Sequence, residues 1–357
     1  MIQRRKTKNI FYDNIGVGSD YPISVQSMTN TKTHNVESTV NQIKKLQKAG
    51  CEIIRVAVPD MKAALALSKI KEQIEIPLIA DIHFNYKLAL KAIEQDVDGL
   101  RINPGNIGDK NRVEVVVKAA KQKDIPIRIG VNSGSIEKDL LKKYGKPTAE
   151  GMVESVLKHI DILEEFEFYN IIISMKSTDV LMTLKAHELL SKKVDYPFHI
   201  GITESGSGKE GIIKSSVGIG LLLEKGYGDT VRVSLTGDPV QEVHTAYEIL
   251  KALKLRNRGI SIISCPTCGR TEVDLEQITK EIKKRIKKYN KDFEVGLEVA
   301  VMGCAVNGPG EAREADLGIA CGKNEGLLFK KGKVIKKVNE DQIIDVLIKE
   351  IKNIRSE

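Results

Sequence analysis

The chain has no tryptophan, and aromatic residues make up only 4% of its 357 positions. A core of ordinary size must then be built from Ile, Val, Leu and Ala, which suits helices packed on a parallel sheet. The apolar share of 41% is enough for one. Long hydrophobic runs are missing too. No stretch approaches the ~18 apolar residues of a membrane span, and the basic start MIQRRKTKNI is not followed by the apolar segment of a secretory signal. A cytoplasmic protein is expected, with no membrane partner. Five cysteines are too few and too scattered for a secreted disulfide framework. When clustered in a cytoplasmic chain, they point to metal or redox chemistry. Acidic residues are in the minority, 48 against 56 Lys and Arg, for a net charge of +8. That excess favours an anionic ligand or an acidic partner. The lysines fall on helix surfaces, as in KEIKKRIKKYNK, without the interleaved aromatics of a nucleic-acid groove. No nucleic-acid partner is expected.

What is present is rhythm. Through the first 240 residues, short β-rich runs alternate with amphipathic helical patterns such as VESTVNQIKKLQKAG. Eight runs stand out: residues 23–28, 53–58, 78–82, 99–103, 127–131, 171–176, 199–203 and 231–235. Strand–helix alternation makes parallel βαβ units, and eight of them predict a (β/α)8 TIM barrel. RNRGI then reads as a linker. The final hundred residues predict a small α+β module: a capped helix, a strand (FEVGLEVAVM), a hairpin turning at Lys-Gly-Lys and a last amphipathic helix. The expected domains are 1–255 and 256–357.

In such a barrel the C-terminal strand ends form the active-site mouth. Here the strands and their ends carry Arg55, Asp81, His83, Arg101, Asn103, Arg128, Asn132, Lys176, His199, Glu204, Arg232 and Ser234. A guanidinium inside an apolar strand is costly unless paired. Four arginines and a lysine on five strands outnumber the evident acidic partners, Asp81 and Glu204. They predict an anion with several oxygens, because Arg binds phosphate in a fork. The glycine-rich loops NPGNIG, VNSGS and ESGSGKEG offer backbone N–H groups to the same oxygens. His34, His83 and His199 are acid–base candidates, although a lone histidine is more often structural.

SCPTCGR sets Cys265 and Cys268 in a CxxC, and Cys304 follows on its own glycine turn. Three cysteines argue for a metal site rather than a thioredoxin-like pair. No histidine follows His244, so a fourth ligand must be Cys321 or a carboxylate. Glu311, directly after GPG, is the candidate that would leave one iron of a cluster labile. Spacing favours iron–sulfur and leaves zinc as the alternative.

SCPTCGR and GCAVNGPGEAREADLGIA, with VQSMTNTKT, GLRINPGNIG, IRIGVNSGS and VRVSLTGDP, closely resemble the bacterial 4-hydroxy-3-methylbut-2-en-1-yl diphosphate synthases of the methylerythritol phosphate pathway. The resemblance spans nearly the whole chain. It implies the two-domain form of that family, because too few residues separate Leu235 from Cys265 for an inserted domain. It implies a [4Fe–4S] cluster on Cys265, Cys268, Cys304 and Glu311, with Cys321 a structural thiol. It also implies the substrate, 2-C-methyl-D-erythritol 2,4-cyclodiphosphate. By position, Arg55, Arg101, Arg128, Lys176 and Arg232 would hold the diphosphate, helped by Asn103, Asn132 and Ser234. Asp81, His83 and Glu204 would face the reacting carbons, with Glu204 as proton donor. The chain shows no second cluster motif and no nucleotide fingerprint, so electrons would come from a flavodoxin or ferredoxin, and the basic helix around Lys283–Lys288 is a candidate dock. The family pattern further implies a homodimer with the active site shared between chains. Two other classes fit parts of the sequence: a phosphate-sugar aldolase or isomerase barrel with a structural zinc module, in which Lys176 would form a Schiff base, and a basic nucleic-acid-binding protein with a zinc module.

Overall fold

The computed structural model describes the chain except residues 1, 288, 290–295, 305–307 and 357, and except the side chains of 308, 311, 312, 355 and 356. It divides into two compact units, residues 1–256 and 257–357.

The first unit opens with a hairpin, β1 (Ile10–Tyr12) and β2 (Ile15–Val17), turning through Asp13 at φ 53°. Eight parallel strands follow: β3 (Ser24–Met28), β4 (Ile53–Ala57), β5 (Leu78–Asp81), β6 (Gly99–Ile102), β7 (Ile127–Asn132), β8 (Ile171–Lys176), β9 (His199–Ile200) and β10 (Thr230–Val231). They pair in the order β8-β7-β6-β5-β4-β3-β10-β9, and a parallel bridge from Ile173 to Phe198 joins the two ends. The expected barrel is therefore present. Its last two strands are shorter than expected. Pairing stops at Gly201, where a Cβ would stand 2.3 Å from the Arg232 carbonyl oxygen.

Side chains alternate across each strand. One set, including Val25, Ile54, Val56, Ala80, Leu100, Ile129, Ile173 and Val231, packs outward in one apolar layer with helix residues such as Ile43, Leu67 and Val116. At the N-terminal end of the barrel the hairpin forms a floor: Ile10, Tyr12 and Val17 pack on Ile53, Ile79 and Ile172. Gly99 makes room for it, since a Cβ there would meet Tyr12 Cε1 at 2.4 Å. The other set of strand residues carries the charge.

The second unit is a five-stranded sheet in sequence order: β11 (Ile260–Ser264), β12 (Leu297–Met302), β13 (Leu317–Gly322), β14 (Glu325–Lys330) and β15 (Lys333–Asn339). The first three strands are parallel and the last two antiparallel. The helices Leu275–Ile286 and Ile343–Ser356 cover one face through Ile278, Ile282, Ile343, Leu347 and Ile351. Asp274 caps the first of these by accepting the Gln277 N–H at 3.0 Å.

Candidate functional site

Asp81, at the end of β5, is the hub on one side of the barrel. Its Oδ1 accepts Arg101 Nη1 at 3.2 Å, and its Oδ2 lies 3.6 Å from Arg55 Nε. Burial works to raise its carboxyl, but Arg55 and Arg101 outweigh this and hold it below the ordinary carboxylate value. Arg101 Nη2 also donates to the Gly130 carbonyl at 2.8 Å, while Asn103 Oδ1 accepts the Gly130 N–H at 2.9 Å. Gly130 is required here: a Cβ would fall 2.1 Å from Arg101 Nε. His83 reaches Arg101 Nη1 at 3.3 Å, but its ring is exposed.

On the opposite side, Arg232 follows β10 and meets Glu242. Its Nε and Nη2 lie 3.3 Å from the two carboxylate oxygens. Glu242 comes from the helix Pro239–Ala252, is buried, and also accepts Ser27 Oγ at 3.1 Å and Leu235 N–H at 3.0 Å. It is not among the residues expected from the sequence, because it lies on a helix rather than at a strand end. The available signal was a carboxylate within the buried stripe Pro239, Val243, Ala246 and Leu250.

Arg128 and Lys176 have no such carboxylate partner among the described residues. Arg128 is the register partner of Arg101 and is fully buried. Its Nη1 donates to Gln26 Oε1 at 2.9 Å, while Nε and Nη2 have no acceptor among the described residues. Burial lowers its pKa. Lys176, at the end of β8, is 7% exposed, and its ammonium has no hydrogen-bond partner among the described residues. Burial, then Arg232, Arg55 and Arg128, push its pKa well below normal. A Cβ at Gly201 would lie 2.8 Å from its Nζ, so that glycine gives it room. Arg55 is shifted well down by burial in the same way, against the pull of Asp81. His199 is buried, and neither ring nitrogen has a hydrogen-bond partner among the described residues; burial, then Lys176 and Arg128, push its pKa well below the ordinary value. The interior thus gathers Arg55, Arg101, Arg128, Lys176 and Arg232 around two buried carboxylates, Asp81 and Glu242.

Other expected residues stand at the end of β7 or on the loops above. Asn132 and Ser234 are half-buried, and Glu204 is exposed; none hydrogen-bonds to the cation group. Glu204 holds φ 51°, a left-handed conformation costly for a residue with a Cβ and often found at functional sites. His34 is exposed, before the helix Val36–Ala49.

In the second unit, Cys265 directly follows β11, and Cys304 lies two residues past its parallel neighbour β12. Cys265 Sγ accepts the Gly303 N–H at 3.3 Å, which fixes the two turns side by side. Cys268 is exposed, and its turn closes through Thr271, whose N–H donates to the Cys268 carbonyl at 3.0 Å. The Glu272 N–H in turn donates to the Gly303 carbonyl at 3.0 Å. Cys321 is fully buried in the sheet–helix core, and burial pushes its thiol up to about 12. Glu311 lies on the helix Gly308–Glu314, but its side chain is outside the described residues. Among the described residues no three His, Cys, Asp or Glu surround a point where a single ion would sit. A four-iron cluster spreads its thiolates further apart than one ion does. The donor set of three thiols at one sheet end suits it in kind.

Comparison with known proteins agrees with both units. Residues 7–247 match the GcpE TIM-barrel domain, and residues 261–353 match the GcpE protein C-terminal domain. Three similar relatives are each named 4-hydroxy-3-methylbut-2-en-1-yl diphosphate synthase (flavodoxin). That of Thermodesulfovibrio yellowstonii is 56% identical over 352 residues, covering 99% of this chain and 100% of the relative. That of Clostridium perfringens is 57% identical over 353 residues, with the same coverage. That of Bacillus mycoides is 54% identical over 357 residues, covering 100% and 97%. With both domains matched and relatives aligned from end to end, the chain belongs to the GcpE family.

Proposed function

We propose that the chain is an oxidoreductase of isoprenoid biosynthesis that opens and dehydrates 2-C-methyl-D-erythritol 2,4-cyclodiphosphate to 4-hydroxy-3-methylbut-2-enyl diphosphate, the activity for which its relatives are named. The observation that carries this reading is the cation group: five positive side chains, with Arg101, Arg128 and Lys176 buried and Arg55 and Arg232 half-buried, against two buried carboxylates. A ligand with several anionic oxygens supplies the missing acceptors. Arg55, Arg101, Arg128, Lys176 and Arg232 bind the diphosphate, and Asn103, Asn132 and Ser234 add hydrogen bonds. Asp81 and Glu242 hold three of these arginines in place, so Asp81 acts by orientation as well as by facing the reacting carbons. His83 lines the same edge. Glu204 is the proton donor to the departing hydroxyl, which leaves as water.

Cys265, Cys268, Cys304 and Glu311 would hold a [4Fe–4S] cluster, which when bound supplies electrons one at a time and Lewis acidity at the iron under Glu311. The electron donor is a flavodoxin or ferredoxin. The exposed Lys283, Lys284 and Lys287 are the proposed dock, and Lys288 is outside the described residues. Reversing the first three charges should raise the apparent KM for the carrier; an unchanged value would remove that face from consideration. We place the protein in the cytoplasm as a homodimer with the active site shared between chains. No helix among the described residues is long and apolar enough to cross a membrane. The aldolase or isomerase reading with a zinc module is not favoured, since the full-length relatives are named for the diphosphate synthase.

Anaerobic purification with iron and sulfide analysis, followed by turnover of the cyclic diphosphate with reduced flavodoxin, tests the whole. A brown protein with about four irons per chain and steady turnover is expected. A colourless protein with one zinc would overturn the reading.

A further inference from the structure

The glycine-rich turns after β6 and β7, Pro104–Asn106 and Ser133–Ser135, each follow a proposed substrate residue, Asn103 or Asn132. Both turns lead to one histidine that the site above does not include. His159, on the helix Ala149–Glu164, is buried. Its Nδ1 lies 3.2 Å from the Gly105 backbone nitrogen, and its Nε2 lies 3.1 Å from Glu137 Oε1. A backbone N–H can only donate, so Nδ1 is the acceptor and Nε2 carries the hydrogen given to Glu137. Ser155, one helical turn before His159, donates to the same Glu137 oxygen at 3.0 Å. Glu137 itself stands two residues past the Ser133–Ser135 turn.

This polar group sits in an otherwise apolar helix face of Met152, Val153, Val156, Ile160 and Leu163. Apolar side chains at 155 and 159 would pack there without desolvating polar atoms. Ser155 and His159 instead hold one carboxylate and one backbone N–H, each belonging to a loop at the barrel mouth. The seat is tight, since a Cβ on Gly105 would stand 2.9 Å from His159 Cε1. Asn103 is thereby fixed from two sides, by Gly130 N–H on its Oδ1 and by His159 on the turn after it.

We propose that His159 and Glu137 are positioning residues that lock the two glycine-rich turns in the arrangement that receives the diphosphate. The inference rests on the function proposed above. Its test uses cluster-loaded enzyme, with calorimetric binding and steady-state turnover of the cyclic diphosphate. His159→Ala should raise Kd and KM roughly ten- to a hundredfold, the range for displaced binding groups, with kcat less affected and iron content unchanged. His159→Asn keeps an acceptor for Gly105, and His159→Gln keeps a donor for Glu137. Each should recover part of the loss, and they also serve if the alanine variant does not fold. Glu137→Gln should resemble the partial variants. Unchanged KM in folded His159→Ala, or losses that merely follow the thermal midpoint across all four variants, would overturn the proposal. A wild-type enzyme that carries its cluster but does not bind the cyclic diphosphate would overturn the proposed function first, and this inference with it.

Discussion

Replacing Lys176 by methionine is expected to stabilise the ligand-free barrel while abolishing turnover. Lys176 is 7% exposed, its ammonium has no hydrogen-bond partner among the described residues, and Arg232, Arg55 and Arg128 add like charge nearby. Methionine has similar length and removes the buried charge. Replacing even paired buried charges by apolar groups of similar volume is often neutral or stabilising by about 1–4 kcal/mol, and an unpaired one has no attraction to lose. For a barrel of this size each kcal/mol moves the melting point by roughly 2–4 °C. The pH dependence has a definite sign. Lys176 is depressed in the fold, so the unfolded chain binds more protons between that lowered value and the ordinary ~10.4. Wild-type stability should therefore rise with pH across this window through Lys176, and the Lys176→Met advantage should narrow. Arg232→Met is the contrasting case. It strips the buried Glu242 of its guanidinium, and an orphaned buried charge costs about 3–5 kcal/mol. Thermal unfolding by circular dichroism, with and without inorganic diphosphate, measures both, and diphosphate should raise the wild-type melting point but not that of Lys176→Met. If Lys176→Met melts lower than wild type, as Arg232→Met should, then Lys176 belongs to a structural network and the argument for an anionic ligand fails.

Gly130→Ala should cut kcat/KM at least tenfold with little change in iron content, because a methyl 2.1 Å from Arg101 Nε must displace that side chain; wild-type kinetics would show that Arg101 is not needed where it lies. Asp81→Asn should be less stable than wild type above pH ~4, since a depressed carboxyl contributes stability above its unfolded value and loses it as pH falls through the folded one. The two melting curves should converge in acid, and a gap that persists there would mean that the carboxylate charge is not what holds Arg55 and Arg101. Cys304→Ser should lose most of its iron, whereas Cys321→Ser should keep it and lose about 1–3 kcal/mol from a hydroxyl placed in the apolar core. Equal iron loss in both would bring Cys321 back as a ligand.

The barrel was legible because its signal repeats: eight β-rich runs, each followed by a helical pattern, leave little choice of architecture. The cation group was legible because arginine is conspicuous in IIRVA, GLRI and IRIGVN. Depth was harder to read. Arg128 looks like a mouth residue in one dimension, yet β7 starts low, and register places Arg128 beside Arg101 with its guanidinium sealed from solvent. Glu242 and His159 were hidden by their location on helices, where a polar residue reads as surface until the buried stripe is traced. Gly130 and Gly201 could not be read at all without the fold, because each matters only through the side chain of another strand. The floor hairpin had a signal in Asp13–Asn14 between two apolar triplets, masked by the basic residues before it.

That floor sets the traffic of the enzyme. With Ile10, Tyr12 and Val17 packed into the N-terminal end, the barrel is a cul-de-sac. Whatever enters at the C-terminal mouth must back out the way it came. On the proposed function, product and incoming substrate, both diphosphates, would queue at one doorway above the same cations. Departure would then compete directly with the next arrival, and the grip that captures a substrate would also delay the release of what it becomes.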